Sequence, residues 1–346
     1  MSAATSAAEA AAGGARLVVD GMVVEYPTAA GTVRAVSDVS FELGAGETLG
    51  VVGESGCGKS TMARAVLQLP APKAGRVLFE DTDLTTLSGD RMRRLRPELQ
   101  MVFQDPVSSL NPRRTVRDIV AEPLTIWKKG TRAERQQKVD EMLHAVGLDP
   151  QEYGGRKPTE LSGGQCQRVA IARALVAGAK LLVCDEPVSS LDVSLRATVL
   201  NMLEDLQDRF DLSILFIAHD LAVVKNISDR VMVMYLGKIV EIADADALYA
   251  RPAHPYTVAL LDSIPDPDPD APAPKASLAG DPPSPVDPPS GCRFRTRCAW
   301  AQDVCAQVEP PLAEVAAGHR VACHFPFVAT GTLPIRERDH TAPLPG

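Results

Sequence analysis

Nowhere does this 346-residue chain run through the about 18 consecutive apolar residues that a membrane-spanning helix requires. Its most apolar run, Leu212–Ala218 (LSILFIA), has the length of a strand. Any association with a membrane is therefore expected to go through partners. No run of five or six like charges occurs either, and the formal net charge is -8, which argues against a nonspecific nucleic-acid binder; no direct nucleic-acid contact is expected. The N-terminal stretch MSAATSAAEAAAGGAR has no basic leader and no Leu-rich segment, so it reads as a tail rather than a secretory signal. Internal repeats are absent. With 45% hydrophobic and 23% charged residues, what remains is ordinary globular material, enough for one sizeable core and a smaller unit.

Against that background one stretch stands out: Gly53-Glu54-Ser55-Gly56-Cys57-Gly58-Lys59-Ser60 (GESGCGKS) fits GxxxxGK[ST] at every fixed position. At average glycine usage the bare pattern arises by chance in roughly one chain in a hundred of this length, so an ordinary Gly-rich turn is already the weaker reading. The preceding Thr48–Val52 (TLGVV) predicts a buried strand and the following Thr61–Leu67 a helix. Glycines let the loop turn tightly and aim its N–H groups inward, where they and the helix N-terminus hold phosphates. Lys59 reaches the outer two, the Ser60 hydroxyl coordinates Mg2+, and Thr61 completes the expected contact set. The expected ligands are a nucleoside triphosphate and Mg2+. Such a site implies the cytosol, where thiols stay reduced.

Alternation over Arg16–Gly46 predicts antiparallel strands leading into the loop, hence a mixed β layer beside the nucleotide. Between Thr115 and Gly147 the period becomes helical: Thr131 and Glu134 match a capping box, and Val139, Met142, Leu143 and Val146 recur at helical spacing. Lys180–Cys184 (KLLVC) and Leu212–Ala218 read as parallel core strands. The helix between them has a predicted core face of Leu195, Val199, Met202, Leu203, Leu206 and Phe210. Ile264–Ser290, with a proline at almost every second or third place, reads as an extended linker before a cysteine cluster.

Two further groups carry chemistry. Leu161-Ser162-Gly163-Gly164-Gln165 (LSGGQ) precedes a helix, placing a serine and glycine amides where an anion binds, although an N-cap and a turn account for it equally when it is taken alone. The strand KLLVC ends in Asp185-Glu186, so one carboxylate can hold magnesium through water while the next polarises an attacking water.

Phosphate loop, LSGGQ and strand-terminal Asp-Glu, in this order, resemble the ATP-binding cassette (ABC) ATPases over roughly Arg16–Asp262. The resemblance implies an α/β fold: a P-loop NTPase nucleotide-binding domain with a RecA-like core, an antiparallel β subdomain and a helical subdomain. It also implies roles. Tyr26 is the aromatic that stacks on adenine. Gln104, in FQDP, is the Q-loop residue at magnesium, beside Ser60 and Asp185. Glu186 is the general base, and His219, in IAHD, is the switch histidine at the γ-phosphate. Family members close head to tail around ATP, so Ser162, Gly163, Gly164 and Gln165, together with Asp192 of the D-loop (SSLD, where SALD is more usual), serve the partner's nucleotide in trans.

The phrases GETLGVVGESGCGKST, MVFQDPVSSLNPR, ELSGGQCQRVAIARAL and RPAHPYTVALL are similar to the oligopeptide and dipeptide importer ATPases. QCQR and the linker before GCRFRTRC point to the subunit usually called F. That likeness implies an ATPase on the cytoplasmic face of the cell membrane, paired with a D-type ATPase, two integral-membrane permeases and an extracytoplasmic peptide-binding protein. A nickel or other small-solute importer, and a soluble regulatory cassette ATPase, are the alternatives. The implied divisions are a disordered tail (1–15), the nucleotide-binding domain (16–263), a Pro/Asp-rich linker (264–291), a Cys-containing C-terminal region (292–328) and a tail (329–346).

Cys292, Cys298, Cys305 and Cys323 match neither the tight CxxC pairs of zinc sites nor ferredoxin spacings. Their spacing leaves unligated thiols, a zinc knot and an iron-sulfur cluster open, with His319 and His324 as alternative ligands; the family resemblance implies a [4Fe-4S] cluster. Arg293, Arg295 and Arg297 read either as charge balance for such a cluster or as a solvated basic face.

Overall fold

A computed structural model describes residues 14–263 and 280–327; residues 1–13 of the expected N-terminal tail, the expected C-terminal tail and the first part of the expected linker lie outside these residues, while Ala15, assigned to the tail, opens the first strand. Strands β1 (Ala15–Thr28) and β2 (Gly31–Gly44) pair antiparallel, and with β4 (Ala74–Phe79) and β5 (Thr82–Asp83) they form a four-stranded sheet ordered β2-β1-β4-β5. Their inward residues, among them Leu17, Val19, Met22, Val36, Phe41 and Leu43, are buried in one cluster with helix α1 (Lys59–Val66). The antiparallel layer thus packs on the helix that starts at the phosphate loop.

The second sheet has eight strands in the order β11-β12-β10-β9-β3-β8-β7-β6. Strands β3 (Thr48–Val52), β6 (Leu99–Val102), β7 (Leu181–Asp185), β8 (Ser213–Ile217) and β9 (Arg230–Tyr235) run parallel. Every residue of β3, β7 and β8 is buried, which explains their unbroken apolar sequences: both faces of a parallel sheet are covered. Strand β10 (Lys238–Asp244) turns back antiparallel on β9.

Helices α2 (Val116–Ile126), α3 (Arg132–Ala145) and α4 (Gly163–Leu175) make the helical region. The capping box at Thr131 and Glu134 forms, and Val139, Met142, Leu143 and Val146 are buried as their spacing predicts. On α5 (Val193–Phe210) the predicted core face needs one correction. Val199, Met202, Leu203 and Leu206 are buried, but Phe210 is 36% exposed beneath the Arg209 guanidinium. Asp211, with φ 50°, ends the helix immediately after it, so its last side chain lies beyond the packed face.

The cysteine region does not stand apart. Its strands β11 (Ala313–Ala316) and β12 (His319–Val321) extend the eight-stranded sheet, β12 pairing with β10. Phe294 is buried against Tyr235 and against Tyr256 of helix α7 (Pro255–Asp262), following α6 (Leu221–Ile227). The described end of the proline-rich stretch runs along the β1–β2 hairpin, where the Pro285 carbonyl accepts from Arg34 N–H at 3.0 Å. No helix among the described residues is long and apolar enough to cross a membrane.

Candidate functional site

The phosphate loop spans the gap between the end of β3 and the start of α1, and two of its glycines have no substitute. Gly53 has φ 150° and a Cβ there would meet Met234 O at 2.2 Å; Gly58 has φ 107° and its Cβ would meet Ala35 O at 2.2 Å. A side chain at either position would push the loop off the sheet. Lys59, 5% exposed, is the first residue of α1, and its Nζ donates to the carbonyls of Gly53 (2.7 Å) and Glu54 (3.0 Å). The Cys57 thiol is pushed up by burial, an effect partly offset by the neighbouring Lys59 ammonium.

Two carboxylates approach from the end of β7 and a histidine from the end of β8. Ser60 Oγ donates to Asp185 Oδ1 at 2.6 Å, and Asp185 is 2% exposed, with Arg64 3.4 Å from its other oxygen. Glu186, the next residue, has φ 50°, a left-handed conformation that costs a non-glycine residue roughly 1 kcal/mol and is here found at a candidate reactive position. Its Oε2 accepts from Gln104 Nε2 at 3.2 Å and lies 3.3 Å from His219 Nδ1. Gln104 therefore contacts Glu186 rather than the Ser60–Asp185 pair. The paired oxygens of Ser60 and Asp185 are the hard donor type that Mg2+ takes.

Tyr26, Ser55, Gly56, Gly58, Lys59, Ser60, Thr61, Gln104, Glu186 and His219 all line one open cleft of about 470 Å³. Val33, Arg34, Ala35, Leu236, Gly237 and Pro285, which the sequence did not single out, complete its wall. Of the other expected site residues, Gly53, Cys57 and Asp185 are buried and Glu54 pairs with Arg297, so none of the four lines the cleft; Ser162, Gly163, Gly164, Gln165 and Asp192 do not border it either. Ser162 Oγ accepts from Gln165 N–H at 3.2 Å while Gln165 Oε1 accepts from Ser162 N–H at 2.9 Å, so LSGGQ is a capping box at the start of α4, with Ser162 and Gly163 exposed. Asp192 caps α5 in the same manner; hydrogen bonds from Leu195 N–H and the Ser194 hydroxyl hold its carboxyl below the usual range.

The four terminal cysteines converge on one small cavity, bordered also by His254, His324, Phe294 and Trp300. Burial raises the thiols of Cys298 and Cys323 to about 11. Among the described residues, no three His, Cys, Asp or Glu side chains approach closely enough to hold a metal ion. A tetrahedral zinc knot keeps its sulfurs about 3.8 Å apart, so the zinc reading is not met by this arrangement. Nor is His319 near the thiols: its Nε2 lies 2.7 Å from Oε1 of the fully buried Glu241, whereas His324 Nε2 donates to Val308 O at 2.9 Å.

The three tail arginines diverge. Arg293 donates to Leu236 O, Arg295 borders the cysteine cavity, and Arg297 makes two hydrogen bonds to Glu54 of the phosphate loop. Of these only Arg295 keeps to the expected neighbourhood of the thiols. Nothing in a single sequence signals the Arg297 contact, since 243 positions separate the partners.

Residues 36–189 match the family described as ABC transporter, and residues 240–305 match the oligopeptide/dipeptide transporter C-terminal region. A peptide import ATP-binding protein of Brucella ovis is 52% identical over 307 residues, covering 89% of this chain and 96% of that protein. The oligopeptide transport ATP-binding protein AppF of Bacillus subtilis is 50% identical over 298 residues, 85% of this chain and 90% of its own length. Among solved structures, the dimeric ABC transporter cassette MJ0796 superposes with a TM-score of 0.61 at 27% identity, covering 66% of this chain and 98% of that one. The cbiO1 cassette of Clostridium perfringens gives a TM-score of 0.62 at 28% identity, covering 68% and 91%.

Proposed function

The chain belongs to the ABC transporter ATP-binding proteins of the oligopeptide and dipeptide import family, and we propose that it drives peptide import as one half of a paired ATPase. It is the ATP-hydrolysing subunit. The observation that carries the paired reading is the split of its signature residues: Lys59, Ser60, Glu186 and His219 share one cleft, while Ser162–Gln165 and Asp192 sit outside it. A site assembled from one protomer's phosphate loop and the other's LSGGQ accounts for that split, and the likeness to a cassette solved as a dimer supports it.

In this arrangement Tyr26 faces the base, the loop amides of Gly53–Gly58 and the Lys59 ammonium hold the phosphates, and Ser60 with Asp185 would hold Mg2+, while Gln104 stays on Glu186. Mg2+ supplies neutralisation of phosphate charge. Glu186 accepts the proton of the attacking water, and His219, already 3.3 Å from it, orients the carboxylate and stabilises the transferred phosphoryl group. Ser162, Gly163, Gly164, Gln165 and Asp192 act on the partner's ATP. The partner is a D-type ATPase, and the pair lies on the cytoplasmic face of the membrane, docked on two permeases supplied by an extracytoplasmic binding protein.

For the cysteines the reading is a [4Fe-4S] cluster held by Cys292, Cys298, Cys305 and Cys323. What favours it is that the four thiols border one cavity; as placed, no three of the described side chains are arranged to hold a metal ion, so the thiols would have to move to take it. Iron and acid-labile sulfide in anaerobically purified protein test it; zinc without iron discards it.

The import reading is tested by reconstituting the chain with its partner ATPase, permeases and binding protein in proteoliposomes. Peptide uptake coupled to ATP turnover is expected. Uptake of nickel but not peptide would reassign the cargo, and full-rate hydrolysis by isolated monomers would sink the composite site.

A further inference from the structure

We propose that Arg297 neutralises Glu54 within the phosphate loop and thereby sets how tightly the loop takes a triphosphate, an inference that rests on the ATP-binding reading above. Glu54 is a carboxylate in a loop whose amides are arranged for an anion, only 25% exposed. Its side chain does not line the cleft, but it is the residue next to Ser55, which does, so an unpaired charge here opposes a polyanionic ligand held by the same loop. Arg297 answers it in fork-to-fork geometry, with Nη1 2.6 Å from Oε2 and Nη2 3.0 Å from Oε1, and the arginine side chain is only 5% exposed. Two parallel charge-assisted bonds fix orientation as well as charge, which a lysine does not reproduce.

Both ends of this contact are held. The Glu54 N–H donates to the Tyr256 hydroxyl at 2.9 Å, and its carbonyl accepts from Lys59 Nζ at 3.0 Å. Arg297 N–H donates to Phe294 O at 3.0 Å, and its guanidinium lies 5.9 Å from the Tyr235 ring centroid. Tyr235, Tyr256 and Phe294 form one buried edge-on cluster, with centroids 4.8 to 5.3 Å apart. The next residue, Cys298, borders the cysteine cavity. A single side chain thus joins the cysteine region to the loop that carries Lys59. Glu54 in turn keeps the guanidinium protonated above its ordinary range, through hydrogen bonding first.

The test is equilibrium binding of a fluorescent ATP analogue with Mg2+ to the full-length chain. R297M is expected to bind about tenfold more weakly, because removing one partner of a buried pair strands the other charge. E54Q is expected to bind at least as tightly as the wild type, and E54Q/R297M to return to within about threefold of it, since no carboxylate is left to repel phosphate. R297K keeps the charge without the fork and should fall between wild type and R297M. A purely structural bolt would weaken both single variants alike without rescue. The inference is overturned by unchanged binding in R297M, by a double variant as weak as R297M, or by E54Q weakened to the same degree. If R297M fails to fold by thermal unfolding, R297K and E54Q decide by the same signs. Absence of binding by the wild type would instead sink the nucleotide reading.

Discussion

Ser60 Oγ donates a 2.6 Å hydrogen bond to Asp185 Oδ1, tying the first turn of α1 to the last residue of β7 across 125 positions of sequence. At 2.6 Å the two oxygens are somewhat closer than adjacent ligands of an octahedral Mg2+, about 2.9 Å apart, so a bound ion would replace this hydrogen bond. Ser60→Ala should therefore raise the Mg2+ concentration needed for half-maximal ATPase about tenfold with a smaller change in ATP binding. A Mg2+ titration superimposable on the wild type would remove Ser60 from the metal site.

Glu186 is held between Gln104 and His219, and its two roles separate in one substitution. Glu186→Gln keeps the shape and loses the base, so hydrolysis in the assembled importer should fall roughly 10²-fold or more while ATP binding persists. Steady-state turnover alongside equilibrium binding checks this; unimpaired turnover would falsify the assignment.

His219 is the exposed partner of that carboxylate, with 61% of its side chain accessible. His219→Ala should lower turnover about 10-fold to 100-fold without moving the unfolding midpoint, because little packing is lost. A fall in stability matching the fall in rate would make its role structural.

Glu241 is fully buried and accepts from Ala253 N–H (2.7 Å) and His254 N–H (2.9 Å), with His319 Nε2 at 2.7 Å. Substitution by alanine strands two backbone donors and a histidine, and should cost about 3 kcal/mol in denaturant unfolding. A loss under about 1 kcal/mol would mean that the pocket repacks or hydrates freely.

His254 faces the same carboxylate, and burial pulls its pKa from 6.5 to about 4, with Glu241 partly opposing the shift. The folded state thus stays neutral where the unfolded state takes a proton, so this residue contributes fully above pH 6.5 and its contribution falls away as pH drops toward 4. The full effect is about 3 kcal/mol. Urea midpoints for wild type and His254→Asn should converge over that window; parallel curves would reject the linkage.

Much of the nucleotide site was legible because its chemistry is local in sequence. The loop glycines, the strand before them and the helix after them are contiguous, and Asp185 and Glu186 end a strand whose apolar run is unbroken. The capping box at Thr131 was readable for the same reason: its partners sit three residues apart. What escaped was long-range. Arg297, Tyr256 and Pro285 reach the loop or its cleft only after the chain has turned back along β10, and an arginine beside a cysteine says nothing about which way it will point. Phe210 kept helical spacing but lost its core place because the helix stops there, and boundaries are what periodicity locates least well.

The pairing of β12 with Glu241 and Ile242 has a consequence for the sheet as an object. An exposed strand offers a row of unpaired N–H and C=O groups on which another chain can build. Here the β11–β12 hairpin covers β10, so the edge on that side is no longer the long buried strand but the four-residue, mostly exposed β11. Cutting the chain after α7 would strip away more than the thiols: it would bare a strand that runs antiparallel to β9, next to the phosphate-loop strand, and invite the molecule to polymerise through its catalytic sheet.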